Sequence, residues 1–245
     1  MQLVTASLFA VVGLALGSSG NLLLSHCTAG EKLSGRSKCR TCSTTLRTLD
    51  LIPIISFIVL RGRCRTCRSP IPLRYPLVEF LSGVLAMAAF LFVDGDIGRA
   101  ILLTFALILL LLIAVMDLET GTIADALNIS FLIVSIFASL AMNTLDILAP
   151  MIGIGFFGIQ WMLSRGRWVG SGDIILGAGI GALLGSWEKM VLCILLAYIL
   201  GAFAAAMLLL AKKKTMTSTI AFGPFLAMSG VISLFWGNVI LARFI

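Results

Sequence analysis

The sequence predicts an all-α polytopic membrane protein with about eight transmembrane helices and a small cytoplasmic loop of zinc-ribbon type. Of its 245 residues, 60% are hydrophobic and only 12% are charged. Uninterrupted apolar runs, such as 101–116 and 194–211, approach the roughly 20 helical residues that cross a bilayer. Because the backbone of such runs must satisfy its own hydrogen bonds in lipid, helices are expected and a soluble class is excluded.

Eight apolar segments are predicted to form these helices. They lie at about 3–24, 76–93, 99–116, 126–142, 145–163, 173–186, 189–211 and 219–242. The sixth segment is short and rich in glycine and alanine, which permits close helix packing. We therefore expect three regions: a first transmembrane helix (1–24), a cytoplasmic loop (25–75) and a seven-helix membrane core (76–245).

The positions of the basic residues orient the chain. Fifteen of the 18 Lys and Arg residues fall in four alternate loops, at 25–75, 117–125, 164–172 and 212–218. The positive-inside rule places these loops in the cytoplasm and the N-terminus outside. A net charge of +7 is also common in nucleic-acid-binding proteins. Here the basic residues lie between apolar spans, so we expect lipid and no nucleic acid as a partner.

The 25–75 loop contains two CxxC knuckles, Cys39 to Cys42 and Cys64 to Cys67. Four thiolates with this spacing suit tetrahedral coordination of Zn²⁺, with the metal supplying folding energy to a short loop. A pair of disulfides is the alternative. A reducing cytoplasm disfavours that alternative, so the sequence favours a structural zinc site.

Two carboxylates mark the cytoplasmic ends of apolar spans. Asp117 ends the run 101–116, and Asp173 follows a Gly-Ser-Gly turn at the start of the sixth span. Converging carboxylates can share one proton, so that one acts as base and the other as acid. Position alone leaves open a solvated Asp117 and an N-capping Asp173. We also expect Asp125 to be an N-cap, and Glu79 to be either an accessory site residue or a solvated helix-end carboxylate.

Ordered motifs resemble the type IV prepilin peptidases (prepilin leader peptidase and N-methyltransferase). The family's GSFLN, RSxCPxC, DLIPxxS, LRGRCRxC, RYPxVE and FGPxL correspond to GSSGN at 17–21, RSKCRTC at 36–42, DLIPIIS at 50–56, LRGRCRTC at 60–67, RYPLVE at 74–79 and FGPF at 222–225. The family's two catalytic aspartates fall on Asp117 and Asp173. The chain departs from the family at Ile175, where lysine is usual, and at 123–125, where IAD replaces LPD.

The resemblance implies an aspartyl endopeptidase of the bacterial inner membrane. Its substrates would be type IV prepilins or pseudopilins of a pilus or type II secretion system, cut just cytoplasmic of their apolar helix. Many members then methylate the new N-terminus with S-adenosylmethionine. Two rival hypotheses are a non-enzymatic scaffold that docks through the zinc loop and a transporter with proton-carrying carboxylates. The lack of an acidic residue near mid-bilayer argues against the transporter.

Overall fold

The computed structural model describes residues 2–29, 38–39, 41–212 and 220–243. Within these ranges the chain is helical and contains no strand. The helices are α1 (Gln2–Ala29), α2 (Ile55–Val59), α3 (Arg74–Phe92), α4 (Ile97–Thr120), α5 (Asp125–Ala141), α6 (Leu148–Ser164), α7 (Ser171–Leu184), α8 (Trp187–Leu210) and α9 (Gly223–Leu241), with a 3-10 turn at Thr48–Leu51. All except the short α2 match a predicted apolar segment to within a few residues.

Five of the described helices are long and apolar enough to cross a membrane. These spans are Gln2–Cys27, Arg74–Phe92, Ile97–Thr120, Trp187–Leu210 and Gly223–Leu241. The remaining apolar helices α5, α6 and α7 are shorter, with 17, 17 and 14 residues. The prediction of an all-helical chain with membrane-spanning helices is confirmed. The count of eight spans is not confirmed and stays a prediction.

The chain divides into two compact units, Met1–Ile108 and Leu109–Ile245. In the first unit α1 packs along α3 through small residues. A methyl group added to Gly17 would lie 2.7 Å from the Ser82 hydroxyl oxygen, so this close approach requires glycine. The three-region division proposed from the sequence stays a prediction.

Helix α7 forms the centre of the second unit. Ten of its fourteen residues are buried, and it packs against α5 and α6. A methyl group added to Gly179 would lie 2.6 Å from the Phe131 ring of α5, and one at Gly181 would lie 2.6 Å from the Ala149 backbone of α6. The glycines of α7 therefore allow close helix packing, as the sequence predicted.

Candidate active site

Asp117 lies three residues before the end of α4 and is buried, with 6% of its surface exposed. The backbone N–H of Gly223 donates to its Oδ2 at 2.8 Å. Gly223 is the first residue of α9, where backbone N–H groups lack partners within the helix and the helix dipole favours an anion. A methyl group at position 223 would lie 2.7 Å from the same oxygen. Glycine is therefore required for this contact.

Asp173 is the third residue of α7 and is also buried, with 9% of its surface exposed. The backbone N–H of Gly170 donates to its Oδ2 at 3.1 Å, so the carboxylate closes the helix N-terminus. The N-cap itself is Gly170, three residues before the position expected from the sequence. The Asp117 charge acts on Asp173, which places the two side chains within electrostatic range of each other.

The Asn128 side chain fixes the backbone that precedes Asp173. Its Nδ2 donates to the Gly172 carbonyl oxygen at 2.7 Å, and the residue is fully buried in α5. Sequence reasoning missed this contact. The available signal was a polar amide that follows Asp125 by three positions within an apolar helix.

Asp125 does not cap α5, and that prediction is wrong. The helix begins at Asp125 itself, and Ala124 takes the N-cap position without a side-chain hydrogen bond. The backbone of Ala124 is extended (φ −69°, ψ 126°), which places the helix start one residue later than a cap at Asp125 needs. Asp125 is exposed and lies in the first turn, where an acidic side chain suits the helix dipole.

The paired carboxylates have no cation to neutralise them among the residues that the structure describes. One oxygen of each is held by a backbone N–H, and the second oxygen of each makes no hydrogen bond to a described residue. Two nearby buried carboxylates cannot both ionise at low cost, and this favours one shared proton. Such an arrangement can activate a water molecule and protonate a carbonyl oxygen.

The cysteine loop brings its four sulfurs together through two turns of matching geometry. In the first knuckle the Cys39 N–H donates to the Thr44 carbonyl at 3.0 Å, and in the second the Cys64 N–H donates to the Ser69 carbonyl at 2.8 Å. An antiparallel bridge flanks each knuckle, between Lys38 and Thr45 in the first and between Arg63 and Pro70 in the second. The two halves of the loop therefore form the same local structure.

The four cysteine side chains fit a tetrahedral thiolate site. Their sulfurs all lie within 4.8 Å of one another, and Cys39 and Cys67 Sγ are 3.8 Å apart. Tetrahedral zinc with Zn–S bonds of about 2.3 Å separates its sulfurs by about 3.8 Å, whereas a disulfide requires about 2.05 Å. Backbone hydrogen bonds, first from Cys42 and then from Thr41, lower the pKa of the Cys39 thiol to about 6. Both features suit thiolate ligands.

Two motif carboxylates hold the loop in place. The Arg65 guanidinium donates to Asp50 Oδ1 at 2.7 Å and 3.0 Å, which lowers the pKa of Asp50 and joins the 3-10 turn to the second knuckle. Glu79 accepts the backbone N–H of Ile54 at 2.8 Å and is only 8% exposed. Glu79 is thus a buried anchor for the loop and not a solvated helix-end carboxylate. The motif residues at 36, 37 and 40 lie outside the described residues.

Comparison with known proteins identifies two adjoining family profiles. The Bacterial Peptidase A24 N-terminal domain matches residues 11–93, and the Type IV leader peptidase family matches residues 104–206. The second match includes both candidate aspartates, and the first includes all four knuckle cysteines. No solved structure matches the chain.

Curated relatives cover most of the chain. A prepilin leader peptidase/N-methyltransferase of Burkholderia pseudomallei is 36% identical over 83% of this chain and 68% of the relative. One of Aeromonas hydrophila is 34% identical over 84% of this chain and 73% of the relative. One of Stutzerimonas stutzeri is 31% identical over 94% of this chain and 78% of the relative.

Proposed function

The chain belongs to the prepilin leader peptidase/N-methyltransferase family, and we propose that it is an aspartyl endopeptidase with Asp117 and Asp173 as its catalytic pair. Its substrates are type IV prepilins or pseudopilins, which it cuts between the basic leader and the apolar helix. The observation that carries the proposal is the convergence of two buried carboxylates from α4 and α7, each fixed by one backbone N–H.

The reaction follows from one shared proton. The ionised carboxylate takes a proton from a water molecule, and the water oxygen bonds to the carbonyl carbon of the leader's last residue. The protonated carboxyl gives its proton to the carbonyl oxygen, which produces a tetrahedral diol. A proton then passes to the amide nitrogen and the C–N bond breaks. The products are a leader with a free carboxylate and a pilin with a new amino terminus.

We place the chain in the bacterial inner membrane with its N-terminus outside and the aspartates facing the cytoplasm. The clustering of basic residues in alternate loops supports this orientation. We further propose that α5, α6 and α7 complete eight spans. Helices of 17 residues extend about 26 Å, close to the hydrocarbon thickness, and the shorter α7 is surrounded by protein.

The orientation predicts which side of the membrane exposes two polar positions. Thr120 at the end of α4 and Ser171 at the start of α7 are both exposed. A cysteine at either position should react with a membrane-impermeant maleimide only after the inner membrane is opened. Labelling of intact spheroplasts from the outside would reverse the proposed orientation.

We propose that the cysteine cluster holds one structural Zn²⁺. Cys39, Cys42, Cys64 and Cys67 would be its ligands, and the sulfur separations support four-thiolate coordination. The ion supplies folding energy to the loop when bound. In the loop, the backbone turns position the sulfurs, and the Asp50–Arg65 ion pair secures the second knuckle.

Methyl transfer from S-adenosylmethionine is the second activity that we extend to this chain, and its support is the name of the relatives. We assign no residue to the methyl donor. The two loop carboxylates that might attract its sulfonium, Asp50 and Glu79, are already engaged by Arg65 and by the Ile54 N–H.

A cleavage assay in isotopically labelled water tests the peptidase proposal. The purified full chain in detergent is mixed with a prepilin in H₂¹⁸O, and the products are weighed by mass spectrometry. We expect one cut at the leader junction and one ¹⁸O atom in the leader carboxylate. Intact substrate after prolonged incubation would favour a scaffold without enzymatic activity.

A further inference from the structure

A polar pair joins α6 and α8 beside Asp173. The Tyr198 hydroxyl donates to Gln160 Oε1 at 2.7 Å. The Asp173 carboxylate lies within electrostatic range of the same hydroxyl. Both helices are otherwise strongly apolar, and uncompensated polar groups in such surroundings are costly. A pair placed next to a candidate catalytic carboxylate therefore calls for a function.

Tyr198 is also at the centre of an aromatic cluster. Its ring centroid lies 5.1 Å from that of Phe222 and 5.7 Å from that of Phe156. Phe222 immediately precedes Gly223, the donor to Asp117. Tyr198 thus contacts the segment that holds one carboxylate and lies beside the other. Tyr198 and Phe156 keep 39% and 38% of their surfaces exposed, so a ligand can reach them.

A peptide that is cut here needs partners for its backbone. The bond to be hydrolysed must leave its helix, and the freed N–H and C=O groups need hydrogen bonds in apolar surroundings. The Tyr198 oxygen can accept one, because its hydrogen is given to Gln160 and its lone pairs are retained. The Gln160 amide nitrogen makes only a long 3.4 Å contact to the Phe156 carbonyl. The pair therefore offers both an acceptor and a donor.

We propose that Tyr198 is a positioning residue for the peptide substrate. Its hydroxyl oxygen accepts a backbone N–H of the segment next to the cleaved bond, and the rings of Phe156 and Phe222 contact the neighbouring apolar side chains. The inference rests on the proposed peptidase function and adds the groups that orient the substrate against the carboxylates.

A double-replacement experiment tests whether this hydrogen bond exists. The full-length enzyme in detergent is given a prepilin-type peptide and a set of analogues. In each analogue one amide that flanks the cleaved bond is replaced by an ester, which removes its N–H. Values of kcat and KM are measured for the natural enzyme and for Tyr198→Phe, which keeps the ring and removes only the hydroxyl.

We expect Tyr198→Phe to lower kcat/KM about tenfold, the size of one net hydrogen bond. One ester should lower kcat/KM of the natural enzyme by a similar factor and have no further effect on the variant. Additive losses at every ester position would overturn the proposal, because they are expected of a pair that only joins α6 to α8. Full activity of Tyr198→Phe, or insensitivity of the natural enzyme to every ester, would overturn it as well.

Two further variants separate this inference from the proposed function. Phe203→Leu changes an exposed ring on the same helix, 67% exposed, and should leave kcat and KM unchanged. Asp117→Asn removes a catalytic carboxyl and should be inactive with every substrate. If Asp117→Asn still cleaves, the proposed function fails. If it is inactive while Tyr198→Phe behaves like the natural enzyme, only the present inference fails.

Discussion

The cysteine loop and the carboxylate site are built in different ways. In the loop, each pair of sulfurs comes from one turn of the chain, which local backbone hydrogen bonds close. In the carboxylate site, Asp117 and Asp173 are 56 residues apart in the sequence, and the donor to Asp117 lies 106 residues beyond it. The first arrangement depends on local turns, and the second depends on helix packing.

This difference determines how each region should respond to substitution. A thiolate ligand acts with its three partners, so losing one should release the metal. A carboxylate that helix packing holds in place can be displaced by a single added methyl group on another helix. The predictions below use each kind of sensitivity, and each has a matched control where the chain offers one.

The largest effect on activity is expected from Gly223→Ala. The added methyl group would meet Asp117 Oδ2 at 2.7 Å and must push the carboxylate or α9 aside. Misplacing a reacting group by about 1 Å can cost about 100-fold in rate, so we expect cleavage to fall at least that far. The measurement is kcat/KM on a prepilin substrate, with metal content recorded in parallel.

Gly158→Ala is the matched control for Gly223→Ala. A methyl group there would have nothing within 4 Å, and the residue lies in α6 of the same unit. We expect natural activity from this variant. Equal losses in both variants would show that glycine replacement harms the unit in general and would contradict the specific role of Gly223.

Loss of the metal is the expected result of Cys39→Ser. The natural chain should contain one zinc per molecule by elemental analysis, and the variant should contain almost none and give less folded protein. Cys27→Ser provides the control, because Cys27 is an exposed thiol outside the cluster. Full zinc content in the Cys39 variant, or oxidised knuckle thiols in protein purified without reductant, would contradict the zinc site.

A smaller effect is expected from Asn128→Leu. The change removes the hydrogen bond to Gly172 and leaves that carbonyl without its side-chain partner, which typically costs about 1–3 kcal/mol. Because Gly172 precedes Asp173, we expect kcat to fall while KM changes little. Asn238→Leu, an exposed position on α9, should change neither. An unchanged kcat in the Asn128 variant would remove this residue from the support of the site.

The smallest effect is expected at Glu79, the anchor of the loop. Glu79→Gln keeps an oxygen that can accept the Ile54 N–H, so the free energy of unfolding should fall by about 1 kcal/mol or less. Glu79→Leu leaves that N–H unpaired and should destabilise the loop more. Thermal unfolding in detergent, followed with zinc release, measures both. A greater loss in the Gln variant than in the Leu variant would contradict the anchoring role.

Sequence reasoning succeeded where the information is local or carried by a motif. The two knuckles predicted four sulfurs that the structure brings together, and the glycines of α7 predicted its close packing. It missed the amide of Asn128, because nothing near residue 128 indicates that Gly172 is its partner. Tyr198 was missed for the same reason, since its neighbours come from α6 and the start of α9.

The error at Asp125 has a different origin. A capping side chain and a first-turn carboxylate are both favoured near a helix N-terminus, so the sequence pattern does not separate neighbouring positions. The extended backbone of Ala124 decides between them. Contacts between distant segments and helix starts at single-residue precision are thus set by packing, and a single sequence does not contain them in readable form.

The central claim is that Asp117 and Asp173 carry out the hydrolysis together. The most direct test measures prepilin cleavage by purified Asp117→Asn, Asp173→Asn and Asp125→Asn, each checked for natural zinc content. We predict that each of the first two loses activity by about 10³-fold or more, because one remaining carboxyl cannot serve as both acid and base. Asp125→Asn should retain nearly full activity, since its carboxylate is exposed in the first turn of α5. An inactive Asp125→Asn beside an active Asp117→Asn would contradict the assignment and move the first catalytic residue to position 125.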